Sequence, residues 1–208
     1  MNEAAIEVTK PSAKAVGLVV YLNDANHPAP PLEAFAAVGL IVVQPHFGPC
    51  WVDRGDGTAL MRLRTELLPQ LRTDHKLPIA IAGVGMGGAG ALTLGFRLRG
   101  EVSVVVADRA AVDFYEAYGE GTELDEHYPS REACRQDGPI LAIDPFRHPS
   151  AVRFHCPTEH PNHRGNDRLH EKLAALGIEH TWNESTPQAD ELARWIVAEL
   201  TKVKRKLI

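Results

Sequence analysis

A glycine-rich turn at residues 83–88 carries the strongest chemical signal in the chain. The apolar run Ile79–Ala82 leads into Gly-Val-Gly-Met-Gly-Gly, and small residues continue into a helical segment. A serine nucleophile for acyl transfer is presented on such a turn, as small-x-Ser-x-small between a strand and a helix. Gly83 and Gly87 occupy the small positions, where strand and helix must pass close together. Gly85 occupies the nucleophile position and has no side-chain oxygen, so it cannot form an acyl-enzyme.

The same glycines fit a second pattern, the dinucleotide fingerprint, as Gly83-x-Gly85-x-x-Gly88 between a strand and a helix. Asp108 follows twenty residues later at the end of another apolar run, where a ribose-binding carboxylate would lie. However, two strand units precede the motif, whereas the fingerprint usually opens its domain. Asp108 is explained as well by a turn or by a helix cap. Nucleotide binding is therefore kept as an alternative function.

Potential metal ligands are concentrated in one sixteen-residue stretch of the chain. Zinc sites need such ligands in tetrahedral sets, which usually show as paired spacings in the sequence. No paired spacing is present here, and the first and last histidines fall in a strand-like and a helical segment. We therefore predict no metal and no other cofactor. The residues concerned are His155, Cys156, Glu159, His160, His163 and His170.

Strand-like and helical segments alternate along the chain and predict an α/β fold. We expect a three-layer α/β/α sandwich around a mostly parallel, doubly wound sheet of about six strands. The first four apolar runs lack period-two alternation, as expected of strands that are buried on both faces. The predicted strands are Ala15–Leu22, Leu40–Gln44, Ile79–Ala82, Val102–Ala107, Ala151–His155 and His180–Asn183. The predicted helices are Pro31–Ala37, Thr58–Arg72, Gly87–Leu98, Asn166–Leu176 and Ala189–Lys204.

Residues 111–149 interrupt this alternation and are rich in Tyr, Glu, Asp and Pro. We interpret them as a small lid-like excursion over the strand ends, where substrate-covering segments are common. A solvated surface insertion explains the same composition.

Composition places the chain among soluble globular proteins. With 208 residues, 44% hydrophobic and 24% charged, it is predicted to form one domain over residues 1–208. The net charge of −5 argues against nucleic acid or an anionic membrane as partner. Three cysteines without paired spacing favour reduced thiols in the cytoplasm. No signal peptide is recognised, and the longest apolar run is too short to span a bilayer.

With these elements in place, the chain resembles the esterase-D-like branch of the α/β-hydrolases over roughly residues 14–208. Residues 83–88 stand where that family has Gly-x-Ser-Met-Gly-Gly. Residues 44–51, Gln-Pro-His-Phe-Gly-Pro-Cys-Trp, stand where such esterases carry a proline and an aromatic-lined loop. Residues 163–173 open the helix after the strand that bears the triad acid, and residues 177–180 lead into the last strand. The resemblance implies an α/β-hydrolase fold with a triad in the order Ser, Asp or Glu, His.

The positions that the resemblance implies for this triad do not hold the triad residues. The nucleophile position is Gly85. The acid region beyond Ala151–His155 offers only Glu159. No histidine follows the last strand, because residues 183–189 run directly into the C-terminal helix. Without an imidazole at this place, the usual general base for a serine or a water is missing.

The oxyanion hole and the cleft above the turn are expected from the same resemblance. Met86 and Asn23 occupy the oxyanion-hole positions, and Asp24 would place a negative charge that opposes a developing oxyanion. Cys50 could be a nucleophile on a loop, although a free cysteine is more often a small buried apolar residue. The residues predicted to line a remnant pocket are Asp24, Cys50, Trp51 and Tyr115.

These departures favour an inactive homologue of a serine esterase, that is, a pseudoenzyme with a degenerate catalytic triad. Its expected role is non-catalytic: to bind an unknown small ligand in the remnant pocket or to contact a protein partner. The alternative is a divergent active hydrolase of the carboxylic-ester type with relocated residues, or the nucleotide-binding protein described above.

Overall fold

The computed structural model describes residues 6–24, 29–48, 50–52, 58–98 and 101–206. In these residues seven strands form one sheet, in the order β1-β3-β2-β4-β5-β6-β7. All neighbouring strands are parallel except the edge pair β1 and β3, which is antiparallel. The strands are β1 Ile6–Thr9, β2 Gly17–Leu22, β3 Leu40–Pro45, β4 Ile79–Val84, β5 Val104–Asp108, β6 Ala151–His155 and β7 Thr181–Asn183.

Helices cover both faces of the sheet. Their bounds are α1 Glu33–Ala37, α2 Ala59–Arg62, α3 Leu68–His75, α4 Gly85–Arg97, α5 Phe114–Ala117, α6 Leu124–His127, α7 Arg131–Asp137, α8 His163–Ala175 and α9 Ala189–Lys206. One π-helical turn, Leu63–Leu67, joins α2 to α3, and one 3-10 turn, Pro139–Ala142, follows α7. Among the described residues, no helix is both long and apolar enough to cross a membrane.

The core has two halves, one on each side of the sheet. Leu18 and Val20 of β2 pack with α3, α4 and α8 on one side. Val19 and Tyr21 of the same strand pack with α1 and α9 on the other side. Burial on both faces explains why the strand sequences are continuously apolar. The predicted three-layer sandwich with a mostly parallel sheet is therefore confirmed.

Strand β1 was not predicted, and the expected count of about six strands becomes seven. Its sequence, Ile-Glu-Val-Thr, is short, and none of its residues is fully buried. A half-exposed edge strand gains its stability from pairing with β3 rather than from its own composition. The predicted helix Thr58–Arg72 is likewise divided by the π-helical turn, which no local sequence rule indicated.

The excursion at residues 111–149 forms three short helices that pack onto the fold. Phe114 and Leu124 from this segment share an apolar cluster with Cys50, which follows β3, and with Ala89 of α4. Residues 114–137, called the lid below, therefore lie against the first half of α4.

Glycines allow α4 to begin unusually close to the sheet. A Cβ on Gly87 would overlap the backbone carbonyl of Leu22, and a Cβ on Gly83 would overlap the backbone of Gly87. Gly85 has φ +55°, in the left-handed region that non-glycine residues rarely adopt. The predicted turn, with small residues where strand and helix pass close together, is confirmed.

Substituting Gly87 with alanine should therefore destabilise the fold strongly. The methyl group would push α4 away from β2, and we expect a loss of about 3 kcal/mol or more, the upper range for overpacking. Gly177→Ala is the matched control because Gly177 has φ +69° and open space around it. In the control the free energy of unfolding should fall only by the cost of placing alanine in the left-handed region, about 1–2 kcal/mol. Urea unfolding measures the free energy of unfolding of both variants, and equal losses would contradict the close approach of α4 to β2.

Candidate functional site

The glycine turn carries a carboxylate from a neighbouring strand. The backbone N–H of Met86 donates a hydrogen bond to Oδ2 of Asp24 at 2.6 Å. Asp24 lies 62 residues earlier in the chain, two residues beyond β2, and parallel pairing of β2 with β4 brings the two together. The first N–H groups of a helix lack intrahelical partners and attract negative charge. Gly85 has no side-chain oxygen, but the backbone of the turn thus binds a carboxylate oxygen of Asp24.

A buried tryptophan fixes the loop that bears this carboxylate. The indole N–H of Trp51 donates to the backbone oxygen of Asn23 at 2.6 Å, and Trp51 is 1% exposed. Gly90 of α4 accommodates the ring, since a Cβ there would lie 2.6 Å from the Cβ of Trp51. The side-chain oxygen of Asn23 is buried and has no hydrogen-bond partner in the described part of the chain. Two hydrogen bonds, from Met86 to Asp24 and from Trp51 to Asn23, therefore hold this loop beside Gly85.

A second carboxylate, Glu123 of the lid, is electrostatically linked to the first. Burial raises the pKa of Glu123, and the negative charges of Asp24 and Glu126 raise it further, against a smaller lowering by His127. The charge of Asp24, which is bound at a helix N-terminus, thus adds to burial in favouring the protonated form of Glu123. Such pairs divide the roles of base and acid in hydrolytic sites.

Cys50 and Cys156 do not provide a thiolate near neutral pH. Burial raises the pKa of Cys50 to about 12, with further contributions from the charges of Glu123 and Cys134. Burial and the charge of Asp108 likewise raise the pKa of Cys156 to about 12. Since the thiolate is the reactive form, neither side chain is an activated nucleophile.

The residues predicted for a remnant pocket are not all in one place. Cys50 lies under the lid beside Met86, and Trp51 lies in the main core. Tyr115 is 41% exposed and lines a different cavity, between the lid and α8. Two of the predicted residues are linked to the turn. Asp24 accepts a hydrogen bond from the Met86 N–H, and the backbone oxygen of Asn23, one residue earlier, accepts one from Trp51.

Sequence reasoning missed an acid–histidine pair at the ends of β5 and β6. Asp108 accepts bonds from Arg109 Nε at 3.0 Å and Nη2 at 2.7 Å, and its Oδ1 lies 3.2 Å from Nε2 of His155. Burial alone would raise the pKa of Asp108, but the bonds and charges of His155 and Arg109 together lower it. Both carboxylate oxygens are bonded within the protein, which does not suit a ribose-binding role. The predicted acid Glu159 is exposed and contacts Thr158.

The histidines of residues 155–170 have partners other than a metal. His170 Nδ1 lies 2.8 Å from Nε2 of His180, and His163 Nε2 lies 3.0 Å from Glu184 Oε1. Within the described ranges, no three His, Cys, Asp or Glu side chains lie close enough to hold a metal ion.

Comparison with solved structures identifies the architecture. S-formylglutathione hydrolase (FrmB) from Staphylococcus aureus superposes with TM-score 0.67 at 13% identity, covering 94% of this chain and 91% of that one. FphF, a fluorophosphonate-binding serine hydrolase of Staphylococcus aureus solved with substrate bound, gives 0.68 at 14% identity, covering 94% and 90%. S-formylglutathione hydrolase from Agrobacterium tumefaciens gives 0.67 at 16%, covering 94% and 89%. The chain has the α/β-hydrolase fold, and the resemblance to esterases of this fold is confirmed.

Comparison at the level of sequence adds nothing to this result. No family model matches the chain, and no curated protein matches it.

These structures contradict the prediction of a non-catalytic protein. Several neighbours that match nearly the whole chain are named as hydrolases or esterases, and none of these names supports a pseudoenzyme or a degenerate triad. The prediction treated the absence of the triad serine and histidine from their usual positions as evidence against any chemistry. Hydrolysis, however, needs an activated oxygen and a proton donor, and neither has to come from the usual positions.

Removing the partly buried acid of the Asp108–His155 pair should make stability less dependent on acid pH. Because the pKa of Asp108 is lower in the folded state, its contribution is complete above about pH 4 and is lost as the pH falls through the folded value. Asp108→Asn should lower the free energy of unfolding by about 1–3 kcal/mol at pH 7. The difference from wild type should shrink below about pH 4.

Urea unfolding between pH 7 and pH 2.5 measures this effect. Glu159→Gln removes an exposed carboxylate in the same region and serves as the control, with no expected loss at any pH. A difference between wild type and Asp108→Asn that stays constant with pH would contradict the assignment.

Proposed function

We propose that this protein hydrolyses carboxylic esters with a general base and a general acid that lie outside the usual triad positions. Asp24 is the base and Glu123 the acid. The observation that carries the proposal is the bond from the Met86 N–H to Asp24 Oδ2 at 2.6 Å, which places a carboxylate at the glycine turn. The hydrolase and esterase names of the structural neighbours support the reaction class.

Asp24 would activate a water molecule. A carboxylate has about four lone-pair positions, so it can accept the Met86 N–H and a water O–H together. Asp24 takes the proton as the water oxygen forms a bond to the ester carbonyl carbon. No acyl-enzyme forms, which removes the need for an oxygen on Gly85.

Glu123 would supply the proton that the leaving group needs. Its raised pKa increases the protonated fraction relative to an ordinary glutamate. When the bond from the carbonyl carbon to the alkoxy oxygen breaks, the Glu123 proton goes to that oxygen and an alcohol leaves. The proton held by Asp24 returns to Glu123 through solvent, so each cycle consumes one water and yields one acid and one alcohol.

The developing oxyanion needs a donor other than Met86, whose N–H is bonded to Asp24. The side-chain amide of Asn23, one residue before Asp24, is a neutral donor group on that loop and would take this role. Removing one oxyanion donor typically costs about 10²–10³ in kcat.

The proposal includes a reducing location such as the cytoplasm, which the three buried cysteines support because no disulfide joins them in the described residues.

Activity of the wild type and of two carboxylate variants tests the proposal. The wild type should hydrolyse short-chain aryl esters with saturation kinetics. Asp24→Asn should lower kcat by about 10²–10⁴-fold, the usual contribution of general acid–base catalysis. Glu123→Gln should lower kcat and should remove the decline in rate as the pH rises through the pKa of Glu123.

Three variants serve as controls. Glu120→Gln removes an exposed lid carboxylate, Glu159→Gln removes the acid predicted from the sequence, and Cys50→Ala removes the thiol under the lid. All three should keep kcat within about twofold, since none supplies a proton in this scheme. An unchanged or faster rate in Asp24→Asn, or no saturable turnover by the wild type, would contradict the proposal.

A further inference from the structure

A cavity of about 710 Å³ lies between the lid and α8, away from the glycine turn. Its volume falls in the range of small-molecule sites, about 300–1,000 Å³. Val112, Phe114 and Ile140 provide an apolar wall, and Lys172 of α8 lies in the same lining. Asp24, Met86 and Glu123 do not line it, so it is separate from the site proposed above.

Charged groups are distributed unevenly over this cavity. The carboxylates of Glu116 and Glu171 are in exposed residues, as expected at the mouth, whereas Lys172 is partly buried. Burial lowers the pKa of Lys172, which reflects the cost of keeping its charge there. Its Nζ donates to the backbone oxygen of Ile140 at 2.7 Å, and in the described part of the chain no carboxylate forms an ion pair with it.

The two arginines of the lining are already neutralised. Arg168 forms an ion pair with Asp113, and Arg135 forms a two-bond pair with Glu132. A ligand that enters the cavity therefore contacts the Lys172 ammonium, which is hydrogen-bonded to the neutral carbonyl of Ile140 and lies next to apolar side chains. A compact ammonium with one charge suits one singly charged anionic group.

We infer that this cavity binds an amphipathic carboxylate, with its apolar body against Val112, Phe114 and Ile140 and its anionic group against Lys172. The Lys172 ammonium attracts the full negative charge of a carboxylate more strongly than the dipole of a neutral amide of the same shape, so the carboxylate gains more there. This inference is independent of the proposed function, because none of its residues takes part in that chemistry.

Calorimetry with 4-phenylbutanoate and its neutral analogue 4-phenylbutanamide tests the inference. The wild type should bind the carboxylate saturably and about tenfold or more tightly than the amide. Lys172→Met keeps the apolar stem but removes the charge, so it should bind both compounds with the weaker affinity. Lys202→Met removes an exposed lysine outside this cavity, paired with Glu199, and should bind both as the wild type does.

A second variant locates the binding independently of charge. Ala175 lies in the lining and is exposed, so Ala175→Trp should fill the opening and abolish binding of both compounds without disturbing the core. The inference is overturned by absence of saturable carboxylate binding in the wild type, by equal affinities for carboxylate and amide, or by wild-type affinity in Lys172→Met or Ala175→Trp.

Discussion

The close approach of α4 to the carboxyl end of β2 is the constraint on which the rest of this structure depends. It is possible only because position 87 has no side chain, since any Cβ there would overlap the Leu22 carbonyl. Two residues beyond Leu22 comes Asp24, and one residue before Gly87 comes Met86. The same contact that packs the helix onto the sheet therefore holds the Asp24 carboxylate against the Met86 N–H.

This arrangement changes how the helix N-terminus is used. In a serine hydrolase the amide that follows the nucleophile stabilises an oxyanion on the substrate. Here that amide stabilises a carboxylate of the protein, and burial together with the negative charge of that carboxylate raises the pKa of Glu123 on the lid. The negative charge of Asp24 would hinder a serine mechanism. In the proposed mechanism water is the nucleophile, and the Asp24 carboxylate can accept the proton of that water. A hydrogen bond from the Trp51 indole to the backbone oxygen of Asn23 anchors the loop that bears this carboxylate.

The sheet and its helices could be predicted from sequence because continuous apolar runs indicate strands buried on two faces. The positive φ of Gly85 was also predictable from the local pattern. The resemblance placed Asp24 and Met86 near the same oxyanion hole, but their bond joins residues 62 positions apart, and no local rule indicates that this carboxylate accepts from that amide. Asp108 and His155 end adjacent parallel strands, but the order of the strands was not known from the sequence. The prediction of inactivity examined only the usual triad positions, and for that reason it was wrong about function.

Chemical rescue of Asp24→Ala by formate tests most directly whether a carboxylate at the Met86 amide is the base. The variant should lose aryl-ester turnover, and added formate should restore it saturably because it can occupy the vacated position at the helix N-terminus. Formamide, which has the same shape but no charge, should not restore the rate. Turnover by Asp24→Ala at the wild-type rate or faster without formate would show that Asp24 only blocks the amide, and it would contradict this account.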